Sequence, residues 1–443
     1  MALSGIQIYK LLPQTNCKDC GFPTCLAFAM KLAAKQVELS ACPHVSEEAQ
    51  AQLSEAAAPP VRPVTVKSNG YEIKAGGEVV LFRHEKTFYN RPGLFLRVHD
   101  SEDPGAIKAK VAPADEYEVD YVGMPLTMSG FAVQAGGGDF GAAVSAVREV
   151  SHRPLILIGQ PGDLQAGLGQ IGEGEKTLLC HATTDNWQDM ASLAKQRGAA
   201  LAVQAGTLDG MVNLASRVKE AGVEDIVLSP EQRGMRGTLT ANTISRRLAL
   251  KKTFRPLGYP IIAFPGDLGN PELEVVAAAQ AIGKYSSFIV LDHFSPATVY
   301  PLLVLRQNIY TDPQKPIQVQ PGLYEINDPQ PEDPVLVTTN FSITYFSVAN
   351  EVEGAGLPAW LLVTDAEGMS VLTAWAAGKF DSERIAKAVK TFNVADKVSK
   401  KRIVLPGHVA VLSGELEEEL PGWEIRVGPR EAVDLPTFMK KAL

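Results

Sequence analysis

Cysteine is scarce in this chain: there are five in 443 residues, four of them before position 43. So few thiols, so grouped, argue against a disulfide framework and point to metal or redox chemistry near one end. A basic excess is missing as well. Forty-two Lys and Arg stand against 50 Asp and Glu, for a net charge of -8 and a pI near 5.5, so a general grip on nucleic-acid phosphates is not expected. No stretch reaches about 18 uninterrupted apolar residues, and no membrane partner is expected. The opening MALSGIQIYKLLPQT lacks a basic flank, a long apolar core and a small-residue cleavage site, so the cytoplasm is the expected compartment.

Several catalytic signatures are also absent. There is no P-loop, H-E-x-x-H, G-x-S-x-G or calcium loop, and the seven histidines are scattered, with no pair at metal-ligand spacing. GLGQIG (167–172) matches the dinucleotide fingerprint literally. QPGDLQA separates it from the preceding strand and no long helix is expected to start within it, so it reads as a barrel loop.

What is present divides into three regions. Residues 1–57 carry four cysteines and helical patterns, CLAFAMKLAAKQ (25–36) and SEEAQAQLSEAA (46–57). APPVRP (58–63) then stiffens the chain, and 58–92 reads as a linker. Residues 93–318 alternate short apolar runs with helical stretches. Eight strands are expected near 94–98, 131–135, 155–159, 177–182, 199–205, 225–229, 260–264 and 287–292, which suits a (β/α)8 TIM-like barrel; an open parallel sheet would show the same alternation. Residues 319–443 hold four more expected strands, at 335–339, 359–365, 402–406 and 423–428, and read as a small Rossmann-like open α/β unit. Its expected ligand loops are TNFSIT (339–344), DAEGMSVLTAWAAGK (365–379), LPGHVAVLSGELEEELPG (405–422) and VGPREAV (427–433), at the carboxyl ends of the strands.

The thiols are spaced C-x2-C-x4-C-x16-C: Cys17, Cys20, Cys25 and Cys42, the last followed by Pro43. Three ligands wrapped closely with Gly21 and Pro23 between them, and a fourth from a distance, suit a [4Fe-4S] cluster. Structural zinc is the competitor, although four-cysteine zinc sites generally use two separated C-x2-C pairs. Cys180, inside TLLCHA, reads as a core residue.

The combination of NCKDCGFPTCLAFAMKLA with Cys42-Pro43, TTNFSITYFSVANEV (338–352) and TDAEGMSVLTAWAAGKF (364–380) resembles the large subunit of the corrinoid/iron–sulfur protein of the reductive acetyl-CoA pathway, over essentially the whole chain. The resemblance implies a cobalt corrinoid on the C-terminal domain, with contacts at Thr339, Asn340, Thr344, Gly368, Met369, Ser370, Val371, Leu372, Thr373, Gly378, Pro406, Gly407, Leu412, Gly414, Arg430, Glu431, Ala432 and Val433. It also implies a methyl carrier. The corrinoid would take methyl from methyltetrahydrofolate as Co(I), through a separate methyltransferase, and pass it from methyl-Co(III) to acetyl-CoA synthase, while the cluster reactivates Co(II). A small subunit and a reductive activator complete the implied partners.

The axial motif Asp-x-His-x-x-Gly is missing, since LDHF (291–294) sets Asp292 beside His293 without the glycine. No protein histidine is therefore expected below the cobalt, and the resemblance implies that the cofactor's own base is displaced as well; a base-off cobalt without a strong axial donor is more easily reduced to Co(I). His408, after LPG in an expected ligand loop, is the histidine of most interest. Two rival readings stay open: a plain iron–sulfur electron carrier, and a pterin-binding methyltransferase barrel using Asp100, Asn186 and Asp292 near strand ends.

Overall fold

The computed structural model describes residues 4–34, 36–50, 53, 59–121, 124–231, 234–312 and 317–442. The chain divides into two compact units, Met1–Tyr117 with Thr127–Tyr310, and Glu118–Leu126 with Thr311–Leu443. Among the described residues no helix is long and apolar enough to cross a membrane. Of the helix expected at 46–57, residues 51–52 and 54–57 lie outside the described residues.

The first unit opens with helices Gly5–Leu11 and Cys25–Ala33, then a hairpin, β1 (Val64–Ser68) and β2 (Tyr71–Ala75). Eight parallel strands follow, interrupted by a small pair that belongs to the other unit, β4 (Glu118–Tyr121) and β5 (Met124–Thr127). The eight are β3 (Gly93–His99), β6 (Gly130–Gln134), β7 (Leu155–Ile158), β8 (Leu178–Ala182), β9 (Ala200–Ala205), β10 (Ile226–Pro230), β11 (Ile261–Ala263) and β12 (Ser286–Leu291). They close in the order β3-β6-β7-β8-β9-β10-β11-β12. The closed barrel, and not the open sheet, is the fold of this region. Apolar runs buried on both faces, with helices between them, are what a parallel barrel requires.

Alternate residues of these strands fill the interior, among them Phe95, Ile156, Leu178, Val227 and Phe288, with Cys180 fully buried beside them. Val64, Val66 and Ala75 join the same cluster. Here the expected linker 58–92 needs correction, because β1 and β2 are a structural part of the barrel. The turn at Asn69 and Gly70, with φ of 41° and 90°, is the left-handed pair that a two-residue hairpin needs. Lys67 exchanges backbone hydrogen bonds of 2.9 Å with Lys176, just before β8, so the hairpin caps the end where the strands begin.

At the opposite end the barrel is tied by charge. Arg97 on β3 is 6% exposed; its Nε and Nη2 donate to the two carboxylate oxygens of Asp292 at 2.6 and 2.8 Å, and Nη1 reaches Gln134 Oε1 and Asp267 Oδ1 at 2.7 Å. One guanidinium thus joins the ends of four strands, β3, β6, β11 and β12. Helix Pro161–Leu168 ends inside GLGQIG, so no helix N-terminus faces that motif.

The second unit is a five-stranded sheet in the order β13-β15-β14-β16-β17. Its strands are β13 (Gly322–Ile326), β14 (Val335–Thr339), β15 (Ala359–Thr364), β16 (Arg402–Leu405) and β17 (Glu424–Val427). β13, which the sequence reading missed, is the antiparallel edge. Period-two alternation sends Val335, Val337, Leu362 and Ile403 to one layer, and Leu336, Leu361, Val363 and Val404 to the other. β4 and β5 bring Tyr121 and Met124 to the second layer, with the Tyr121 ring 6.5 Å from Phe346.

Replacing Arg97 with Met should cost about 3–5 kcal/mol, because it strands buried carboxylates; a denaturant midpoint on the full chain reads it. Burial alone would raise the Asp292 pKa, but Arg97 outweighs it and holds the carboxyl below its ordinary 3.8. The stabilisation is therefore complete above that value and is lost as pH falls through the folded pKa. Wild-type stability should drop below pH 4 with a steeper slope than Asp292→Asn.

Candidate functional site

In the second unit, the strand order turns back at β14: the chain runs to β15 on one side, then crosses to β16 on the other. Such a switch leaves a crevice at the carboxyl ends of the strands. A cavity of about 770 Å³ lies there, lined by Leu336 to Thr338 on β14, Val404 to Pro406 at the end of β16, and Gly428 to Val433 beyond β17. Helix Ser342–Gly354 forms one wall.

Of the residues expected to touch a ligand, Thr344, Ser370, Val371, Leu372, Pro406, Arg430, Glu431, Ala432 and Val433 line this cavity. Thr339, Asn340, Gly368, Met369, Thr373, Gly378, Gly407, Leu412 and Gly414 are not among its lining residues. Several of these shape the site from behind. Asn340, 2% exposed, accepts the N–H groups of Ala366 and Gly368 at 2.9 Å and donates to Asp365 and Gln318. Its side chain therefore fixes the turn after β15. Gly407 passes so near the other loop that a Cβ would stand 2.6 Å from the Gly428 carbonyl oxygen. Leu412 is buried in the core, Met369 packs against it, and Thr373 shares a 3.0 Å hydrogen bond with Ser370.

The sequence reading missed the wall formed by Ile343, Phe346, Ser347, Asn350 and Glu351. Their spacing of i, i+3, i+4, i+7 and i+8 was the available signal. His408 also lines the cavity, with Nε2 3.8 Å from Glu431. Two of the expected loops are partly helical: Val371–Ala376 is a short helix, and Gly407–Leu412 and Ser413–Glu419 are 3-10 and α turns.

Two features suit this cavity to a ligand. Its rim is apolar yet uncovered, with Ile343 65%, Leu372 46% and Val433 65% exposed. It is also rich in unused hydrogen-bonding groups. The helical segments starting at Ser342, Val371, Gly407 and Ala432 follow the four parallel strands, and none has a side-chain cap. By contrast, Asp103, Asp139, Thr207, Asn270 and Ser295 cap barrel helices with their side chains. The hydroxyl of Thr338, on the lining, is buried without a hydrogen-bond partner. Buried polar groups are seldom left so, and a broad ligand with an apolar face and carbonyl-bearing arms would satisfy them.

The cysteines gather in the first unit. Cys25 and Cys42 are 6% and 9% exposed and share a core with Ile8, Leu12, Phe28 and Leu53, against which Cys20 packs. Cys17 is exposed. Left-handed backbone at Gln14, Asn16, Lys18 and Gly21 winds the loop tightly, and Asn16 Oδ1 accepts the Cys25 N–H at 2.8 Å. Cys25 opens its helix just after the cap Thr24, where the helix dipole favours a thiolate. His44 Nε2 lies 2.6 Å from Asp19 Oδ2; hydrogen bonds from His44 and from Cys17 hold the Asp19 carboxyl below its ordinary range.

The strand-end residues considered for a barrel ligand are engaged internally. Asp100 accepts the Gly136 N–H at 2.6 Å, Asn186 accepts the Thr183 N–H at 2.8 Å and Asp292 is held by Arg97.

Comparison with known proteins covers both ends of the chain. The family described as CO dehydrogenase/acetyl-CoA synthase delta subunit matches residues 63–439, and an Fe-S cluster family matches residues 12–44, which contain all four clustered cysteines. The chain is 41% identical to the corrinoid/iron-sulfur protein large subunit of Moorella thermoacetica, over 100% of both chains. It is 34% and 33% identical to the acetyl-CoA decarbonylase/synthase complex subunit gamma of Archaeoglobus fulgidus and of Methanopyrus kandleri, over 99% of this chain and 98% of each relative.

Changing Asn340 to Ala should cost about 1–3 kcal/mol, because two buried N–H groups lose their acceptor. Faster amide hydrogen exchange at Ala366 and Gly368, with the barrel amides unchanged, is the expected observation.

Proposed function

The chain belongs to the corrinoid/iron-sulfur protein large-subunit family, and from that membership we propose that it is a methyl-group carrier of the acetyl-CoA pathway. A cobalt corrinoid would be held in the cavity beyond β14 and β16, and a [4Fe-4S] cluster by Cys17, Cys20, Cys25 and Cys42. When bound, these groups supply a cobalt nucleophile for methyl taken from methyltetrahydrofolate and given to acetyl-CoA synthase, and single electrons for its reactivation. The partners would be a small subunit, a separate methyltransferase, the synthase and a reductive activator, all in the cytoplasm.

The observation that carries this reading is the fit of the cavity. A corrin is a wide disc fringed with amides. Ile343, Leu372 and Val433 offer the uncovered apolar surface against which such a disc packs and sheds water. Around them, the uncapped segment starts at Ser342, Val371, Gly407 and Ala432 present N–H donors for amide carbonyls. The buried hydroxyl of Thr338 adds a donor and an acceptor on the lining. Gly407 keeps the two loops close enough to form one wall. At the cysteine end, three thiols in an apolar core and one at the surface would keep a cluster mostly dry with one edge open to solvent.

Full chain prepared without oxygen, with cobalamin supplied, should contain both iron and cobalt and show corrinoid bands beside broad cluster absorption. Leu372→Glu should lower cobalt content and leave iron unchanged, whereas Cys25→Ser should do the reverse; preparations free of cobalt, or holding zinc in place of iron, would end the proposal. His408→Ala tests the base-off expectation: the paramagnetic cobalt spectrum should show no protein-nitrogen splitting in either form.

A further inference from the structure

The four clustered cysteines are not equivalent. Cys20, Cys25 and Cys42 face the apolar core of the N-terminal segment, while Cys17 stands at the surface. Beside it are two side chains with no place in a four-thiolate cluster. Asp19 and His44 come from segments 25 residues apart and meet at 2.6 Å, each about half exposed. One ligand atom from each of Cys17, Asp19 and His44 lies within 4.8 Å of the others. A tetrahedral divalent ion, with bonds of about 2.0–2.3 Å, sets its ligand atoms some 3.3–3.8 Å apart. A shift of about an ångström in the widest separation, with Asp19 and His44 parting from their 2.6 Å hydrogen bond, would therefore complete three corners, and water would take the fourth.

We propose that Cys17, Asp19 and His44 form a mononuclear divalent-metal site that operates when the cluster is absent or short of an iron, and that ferrous ion enters there. The donor set of one thiolate, one imidazole and one carboxylate suits ferrous, zinc and cobaltous ions. Binding converts the Cys17 thiol to thiolate, with its proton released to water; Asp19 binds as carboxylate and His44 as neutral imidazole. No electron moves. Cys17 serves both states, so the site is vacated as the cluster completes, and the ion passes inward to the buried thiols. The asymmetry of burial then has a use: the surface ligand set captures, and the core thiols retain. This inference rests on the cluster assignment above.

Cobaltous ion is the probe, because its thiolate charge-transfer absorption grows with the number of thiolates bound. Titrated into cluster-free full chain under nitrogen, the first equivalent should show the intensity of one thiolate. That signal should persist in Cys25→Ser, vanish in Cys17→Ser, and weaken in Asp19→Asn and His44→Asn by at least the roughly tenfold that an outer-shell partner costs. A first equivalent that shows several thiolates, or that is indifferent to Asp19 and His44, would overturn the site. A second measurement uses reconstitution: at limiting ferrous ion the cluster absorption should grow more slowly in the Asp19→Asn/His44→Asn double variant than in wild type, and equal rates would count against the site. Failure of the wild-type chain to form any iron–sulfur chromophore on reconstitution would instead strike the cluster assignment, leaving the cobaltous result to stand separately.

Discussion

Strand direction governs this molecule. Every barrel strand is parallel, and so are four of the five strands in the second unit's main sheet, which forces each to be followed by a helix and gathers the connecting loops at one end. In a parallel sheet those ends are where backbone N–H groups of the next helix emerge unpaired. The barrel satisfies several of them with Asp103, Asp139, Thr207, Asn270 and Ser295. The second unit leaves them open around a cavity. One topology thus yields several capped helix starts in the barrel and four uncapped ones in the second unit.

Charge reinforces the same division. The mouth of the barrel is tied by Arg97, whose guanidinium is shared among Asp292, Asp267 and Gln134. Burying that many charges is affordable only because each is paired, and the pairing leaves Arg97 and Asp292 committed to structure. Asp100 and Asn186 are similarly committed to nearby backbone N–H groups. In the second unit the hydroxyl of Thr338, on the cavity lining, is buried without a hydrogen-bond partner. The two ends thus differ in kind: one is tied by charge pairs, the other is ringed by uncapped helical segments.

Much of this was legible in the amino-acid order. Eight apolar runs separated by helical stripes mark the barrel strands, because period and length follow from backbone geometry and burial alone. The spacing of Cys17, Cys20, Cys25 and Cys42 marks a metal centre for the same local reason: a short loop can bring neighbouring thiols together whatever surrounds it. Even the hairpin at Asn69-Gly70 carried a local signal, an Asn-Gly pair between alternating residues, although the prolines just before it suggested a linker. The helix face of Ile343, Phe346 and Ser347 was equally readable at helical spacing.

What tertiary structure alone decided are the relations between distant residues. That the hairpin packs against the barrel core and caps one end, that Asn340 anchors a turn 26 and 28 residues away, and that Gly407 must yield space to Gly428 depend on contacts set by the closed fold. So does the meeting of Asp19 with His44 beside Cys17. Sequence determines periodicity, spacing and chemistry because these act over one or two turns of chain; which residues line a cavity or hold its walls is decided by packing between elements far apart in order, where no local pattern records the partner.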